Sequence, residues 1–122
     1  MLNTDDVVRA VCRLPRDVNS LGTMSPVELL RRSGYSERRA EIPVDGIEVC
    51  LRANPEYVDD WLLWSEQDRG YSGWYLFESH AGELELRPYD QSVGRQSKAF
   101  TDKTRAAAEF AHRYLENLVR YV

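Results

Sequence analysis

The sequence predicts an α+β fold, an antiparallel sheet of about five strands with two N-terminal helices and a C-terminal helix packed on it. Three observations lead there. Apolar residues near both ends recur at three- and four-residue steps. In the middle the period shortens to about two, and Asp45-Gly46, "QDRGYS" and "HAGE" supply turn signals. The length of 122 residues suits one domain, 1–122, with one core. A chain of that size buries roughly two thirds of its unfolded surface and needs no metal or disulfide to fold.

From the N-terminus, Thr4 can cap a first helix, with Asp5 and Asp6 at the positive end of its dipole. Val7, Val8, Val11 and Leu14 form its apolar stripe, and Pro15 reads as its stop. Residues 16–24 read as a loop. "SPVELLRRSGY" carries a full set of helix signals. Ser25 is an N-cap, Pro26 suits the first position, Glu28 completes a capping box and Gly34 ends the helix. In "EIPVDGIEVCLR" Asp45-Gly46 separates two short alternating runs, which predicts a hairpin with Ile47, Val49 and Leu51 on one face and Glu48 and Arg52 on the other. "WLLWSE" and "GWYLFES" read as strands, and "ELELRPYD" as another with Leu84 and Leu86 inward. "KAF" reads as one more short strand. Thr101 or Asp102 caps the last helix, whose stripe is Ala107, Phe110, Ala111, Tyr114, Leu115, Leu118 and Val122.

Composition narrows the function classes. With 43% apolar and 30% charged residues the chain is an ordinary globular one. No apolar run approaches the roughly 20 residues of a membrane span. The acidic start "MLNTDDVVRAVCRLPRD" argues against a secretory signal, so a cytoplasmic protein is expected. Cys12 and Cys50 have no CxxC spacing and no histidine neighbour, and in a reducing compartment both are expected as free thiols. The net charge of −4 hides an asymmetry. Residues 41–90 hold twelve acids and three bases, a charge of −9, while the rest of the chain is positive. Such a pattern speaks to partners rather than to fold.

"EYVDDWLLWSEQDRGYSGWYLF" holds all three tryptophans and five acids. Two readings stay open at this point. In one, helices cover both faces of the central strands and the indoles are core. In the other, one sheet face keeps an aromatic patch rimmed by Glu48, Glu66, Glu83 and Glu85, built to grip a basic partner. The residues expected at that surface are Asp59, Asp60, Trp61, Trp64, Glu66, Asp68, Tyr71, Tyr75, Glu83 and Glu85.

Other chemistries find little support. "RGYSGWYLF" fails as an RNA-recognition octamer at Gly73, and its surroundings repel phosphate. The basic stretch with Arg31, Arg32, Arg38 and Arg39 reads as a solvated helix end. His80 and His112 have no second ligand at metal spacing, and His112 reads as a surface residue beside Glu109 or Glu116. No nucleophile elbow, P-loop or zincin motif is present. Glu83 and Glu85 would share an open face, not a pocket. The chain is therefore expected to be a binder and not an enzyme, with no cofactor and no metal, and a monomer or weak homodimer.

"SPVELLRRSGY", "WLLW", "GWYLFES", "ELELRPYD" and "KAFTDKTRAAAEFAHRYLENL" together resemble the small immunity proteins of bacterial polymorphic and contact-dependent growth inhibition toxin systems. The resemblance runs from Ser25 onward and does not account for residues 1–24. It implies an inhibitor that binds a cognate toxin domain and occludes its active surface, with no residue carried over as a contact. Where such a toxin is a nuclease, its groove must be basic to hold phosphate. An acidic surface would suit it. The other expectation is a different interaction module, such as an adaptor or secretion chaperone.

Overall fold

Among the described residues the first half of the chain, to Gln67, is helical, and a short sheet and one long helix complete it. The computed structural model describes residues 3–22, 24–67, 73–78, 82–88 and 97–122. Helices α1 (Thr4–Cys12), α2 (Leu14–Leu21), α3 (Pro26–Ser33), α4 (Tyr35–Arg38), α5 (Val44–Ala53) and α6 (Pro55–Gln67) come first. Strands β1 (Trp74–Glu78), β2 (Leu84–Pro88) and β3 (Lys98–Phe100) follow, then α7 (Lys103–Leu118). Short 3-10 turns extend α4 over Arg39–Glu41 and α7 over Val119–Tyr121.

The expected five-stranded sheet with three helices is thus overturned. Among the described residues there are three strands, paired antiparallel in the order β1-β2-β3, and seven α-helices. Two segments read as strands are helices. In α5, Val44, Ile47 and Leu51 fall at helical steps, and Ile47 and Leu51 are fully buried. Glu48 and Arg52 are an i,i+4 ion pair at 2.8 Å. An Asp-Gly hairpin turn would need positive φ at both residues, and neither Asp45 nor Gly46 has it. Val49, expected inward, is 71% exposed. In α6, Val58, Trp61, Trp64 and Ser65 share the buried arc, again at three- and four-residue steps.

Pro15 opens α2 instead of closing α1, because its missing N–H is harmless in a first turn. Residues 16–24, expected as loop, contribute most of that helix, which ends at Gly22 with φ 67°. Asn3, not Thr4, caps α1 by accepting from the Asp6 N–H at 2.8 Å. The α3 signals are realised except the return half of the capping box, since the Glu28 carboxylate accepts from Arg31 and Arg32. Ser25 accepts from the Glu28 N–H, Pro26 stands in the first turn and Gly34 closes the helix at φ 82°. Asp102 caps α7 through the Thr104 and Arg105 N–H groups.

The core lies between α7 and the helices and sheet around it. Ala106, Ala107, Phe110, Ala111, Tyr114, Leu115 and Leu118 of α7 are fully buried. Alanines let α5 and α6 approach the α7 axis closely, and the rings fill the space beyond them. Trp61 meets Phe110 and Tyr114 edge-on at 6.1 and 5.7 Å, and Trp64 meets Tyr114 at 6.0 Å. On the sheet, Leu84 and Leu86 point inward as expected, with Leu86 opposite Leu76 and Leu84 opposite Phe100. Val122, placed on the apolar stripe by spacing, is 40% exposed beyond the end of α7.

Candidate functional site

The acidic, tryptophan-bearing segment is divided by α6 into two opposite arcs. Trp61 and Trp64 lie on the inner arc, 0% and 5% exposed, and present no indole face to a partner. Trp74 is buried as well, at the start of β1, beneath the Arg113 guanidinium 4.1 Å from its ring. The two α6 indoles expected at a binding surface are therefore core residues. A helix built from this sequence has to turn its bulkiest groups toward α7, since burying each recovers about 2–3 kcal/mol of transfer free energy.

The outer arc carries Glu56, Asp59, Leu63 and Glu66, spaced three, four and three residues apart and all exposed. Leu63, 49% exposed, is the apolar centre of that ridge. Among the described residues the Asp59 carboxylate takes part in no hydrogen bond or ion pair. Asp60 stands on the shoulder of the helix and is bound to Arg16 of α2 at 2.8 Å, so its charge is neutralised within the molecule. Arg16 also lies over the Tyr57 ring, 5.4 Å from its centroid. The foot of the ridge opens on a shallow groove of about 90 Å³, lined by Leu62, Glu66, Leu76 and Glu78 among others. That groove brings the edge strand β1 next to α6.

Tyr75 and Glu85 lie on the sheet face turned away from the core. Tyr75 pairs across the ladder with Arg87, and Phe77 with Glu85. Arg87 sits over the Phe77 ring at 3.9 Å and bonds Glu85 at 2.7 Å, which holds the arginine charged and cancels the Glu85 charge locally. Glu83 is exposed just before β2. The face is thus a mixed polar-aromatic surface and not an acidic one. Asp68 and Tyr71 lie outside the described residues.

Glu48, expected at the sheet rim, stands instead in an ion network between α5 and α7. Arg105 reaches Asp45, Glu48 and Glu109 at 2.6, 2.8 and 3.2 Å. Arg52 joins Glu48 to Asp102, each at 2.8 Å. Arg105 and then Arg52 hold the Glu48 carboxyl below its ordinary range, and Arg52 does the same for Asp102. Glu109 is 8% exposed, with Lys98 and Arg105 at 3.2 Å and Arg113 at 3.8 Å. The spacing of Arg105, Glu109 and Arg113 was the available signal for this network. Its links to α5 required the tertiary fold.

The basic stretch is also internally paired. Arg31 and Arg32 bind Glu28, Arg38 binds Glu41, and Arg39 binds Glu116. Burial pushes the Glu116 carboxyl up, but the Arg39 and Tyr35 hydrogen bonds outweigh it and the net direction is down. His112 is half-buried on α7 and stabilises the Glu116 charge. Among the described residues no group of three histidines, cysteines or carboxylates is arranged to hold a metal ion. No described helix is long and apolar enough to cross a membrane.

Compared with protein-family models, curated proteins and solved structures, the chain finds no match.

Proposed function

We propose that the protein is a binding protein whose partner is a basic protein surface, and that its role is immunity, the occlusion of a cognate bacterial toxin domain. The observation that carries the reading is the α6 ridge, where Glu56, Asp59 and Glu66 surround Leu63 in the part of the chain with net charge −9. Exposed carboxylates around one apolar side chain suit a cationic partner that meets them by electrostatic steering and is retained by burial of the centre. Asp45, Glu48, Asp60 and Glu85 are paired within the molecule, while Glu56 and Asp59 on the ridge, and Glu78 and Glu83 by the sheet, are exposed to solvent. The ridge replaces the sheet as the expected contact, because the tryptophans that would have anchored a sheet interface are core.

The test is to identify the product of the neighbouring gene and measure binding to its C-terminal domain. The triple variant Glu56→Lys, Asp59→Lys, Glu66→Lys is expected to associate ten- to a hundredfold more slowly at low salt, with the difference shrinking as salt rises. Leu63→Ala should act on dissociation instead. A control reversal at Asp5 and Glu37, exposed on α1 and α4, should change the rate little. Equal association rates for the ridge variant and the parent would remove α6 from the interface. Failure of the parent to bind or protect against that domain would remove the immunity role.

A further inference from the structure

The fold brings together two cysteines that the sequence keeps well apart. Cys12, the last residue of α1, is 1% exposed and points its sulfur at the Ile47 carbonyl of α5, 3.9 Å away and one turn before Cys50, which brings the two thiols side by side. Both are free thiols. Cys50 is half-buried and lines an open groove of about 590 Å³ between α1 and α5. Val8, Val49 and Ala53 give the groove an apolar wall, while Arg9 and Asn54 flank the thiol. The Asn54 side-chain amide stands 3.9 Å from the Cys50 sulfur.

We propose that Cys50 is a reactive thiol that hydroperoxides reach through the α1–α5 groove, and that Cys12 resolves it to an intramolecular disulfide. The arrangement separates the two roles. Cys50 has solvent access, the Asn54 amide as a hydrogen-bond donor and a nearby cation. Cys12 has none of these and waits behind it as a protonated donor. The Cys12 hydrogen bond, then Arg9 and Asn54, outweigh burial and bring Cys50 down to about 7. The same contact and burial push Cys12 up. The charged groups facing Cys50 are Arg9 and Asp5 from α1 and Glu41 from the turn before α5; Asp6 shares Arg9 at 3.5 Å.

In the first step the Cys50 thiolate attacks the outer oxygen of the hydroperoxide. An S–O bond forms, the O–O bond breaks, and the alkoxide or hydroxide leaves and takes a proton from water. The Cys50 sulfur is oxidised by two electrons to a sulfenic acid, and the peroxide is reduced. In the second step the Cys12 sulfur attacks the sulfenic sulfur, and its proton passes to the departing sulfenic oxygen. The S–S bond forms, the S–O bond breaks, and the leaving hydroxide is protonated to water. The product joins α1 to α5 across the groove floor.

The test uses the intact protein with hydrogen peroxide and intact-mass and peptide analysis. The parent is expected to lose two hydrogens and yield a Cys12–Cys50 linked peptide while remaining a monomer. Cys12→Ala should stop at a Cys50 sulfenic acid that dimedone traps, and Cys50→Ser should leave Cys12 unmodified in the folded protein. In the unmutated protein, iodoacetamide at neutral pH should label Cys50 roughly tenfold faster than an unperturbed cysteine peptide, with a rate midpoint near pH 7. Equal labelling of the two cysteines, or a Cys50 rate no higher than the peptide's, would overturn the assignment. So would an intermolecular dimer as the oxidation product.

Discussion

Trp61, in the middle of α6, donates its indole N–H to the backbone carbonyl of Cys12, the last residue of α1, across 3.0 Å. That bond satisfies an otherwise orphaned carbonyl at a helix end and ties two helices far apart in the chain. Trp64, one turn further along, has a buried indole N–H with no acceptor among the described residues. The two tryptophans share one packing layer against Tyr114 and differ in polar satisfaction. Trp61→Phe is expected to destabilise the protein by about 2–4 kcal/mol, since it leaves a cavity and an unpaired carbonyl. Trp64→Phe should lose at least about 1 kcal/mol less, because it also removes an unsatisfied donor. Urea unfolding of both variants measures the difference; equal losses would show that the Trp64 N–H has a partner.

Stability should fall at both extremes of pH for identifiable reasons. Glu48 and Asp102 have folded values below the ordinary carboxylate range. A depressed carboxylate contributes stability above its unfolded value of about 4, and that contribution is lost as pH falls through the lower folded value. Tyr35 is shifted the opposite way, upward, by burial and by its hydrogen bond to Glu116. Its contribution is complete below the ordinary phenol value of about 10 and lost as pH rises above it. Thermal unfolding followed against pH should therefore show a flatter acid limb for Glu48→Gln and a flatter alkaline limb for Tyr35→Phe. Added salt should weaken the acid effect, because the Glu48 and Asp102 pairs are near the surface.

The ends of α3 are set locally. Ser25→Ala removes the acceptor for the Glu28 N–H and should lower stability by about 1 kcal/mol. Gly34→Ala forces a Cβ into a left-handed residue at φ 82° and should lose about as much or more. Both changes lie far from α6, so partner association should be unchanged when corrected for folded fraction.

Glu109 is the most buried carboxylate of the ion network, and its three cationic partners are all more exposed than it is. Glu109→Gln keeps the shape and removes the charge. A loss of about 1–2 kcal/mol is expected at low ionic strength, less than for a fully buried pair because Lys98, Arg105 and Arg113 can turn to water. Repeating the unfolding at high salt should reduce the loss; no salt dependence would assign the residue a packing role alone.

The elements predicted well are those whose information is local. Ser25, Pro26, Glu28 and Gly34 mark α3 by hydrogen-bonding and φ requirements that involve only their neighbours. The α7 stripe from Ala107 to Leu118, β2 with Leu84 and Leu86 inward, and the short strand Lys98–Phe100 follow from period alone. The misread segments carried two valid signals at once. Asp45-Gly46 is a hairpin turn in isolation, yet Val44, Ile47 and Leu51 also form a helical face, and α7 offers that face a partner. "WLLW" is apolar on every side, so neither period stands out. Its helical register emerges only with Val58 and Ser65 included.

The candidate surface was legible as a region and not as a geometry. The charge of −9 is a property of composition and needs no fold. Whether Trp61 and Asp59 point the same way depends on period, since a strand would alternate them differently from a helix. By its own residues the chain settled the caps of α3 and α7, the outer strand pattern, the closing helix and the charge asymmetry, because each depends on neighbours within a turn or two. Only the tertiary structure decided that the tryptophans turn inward, that Asp60 and Glu48 are neutralised by distant arginines, and that Cys12 meets Cys50. Those outcomes depend on which elements pack together, and burial of large apolar rings outweighs any local preference for strand or turn.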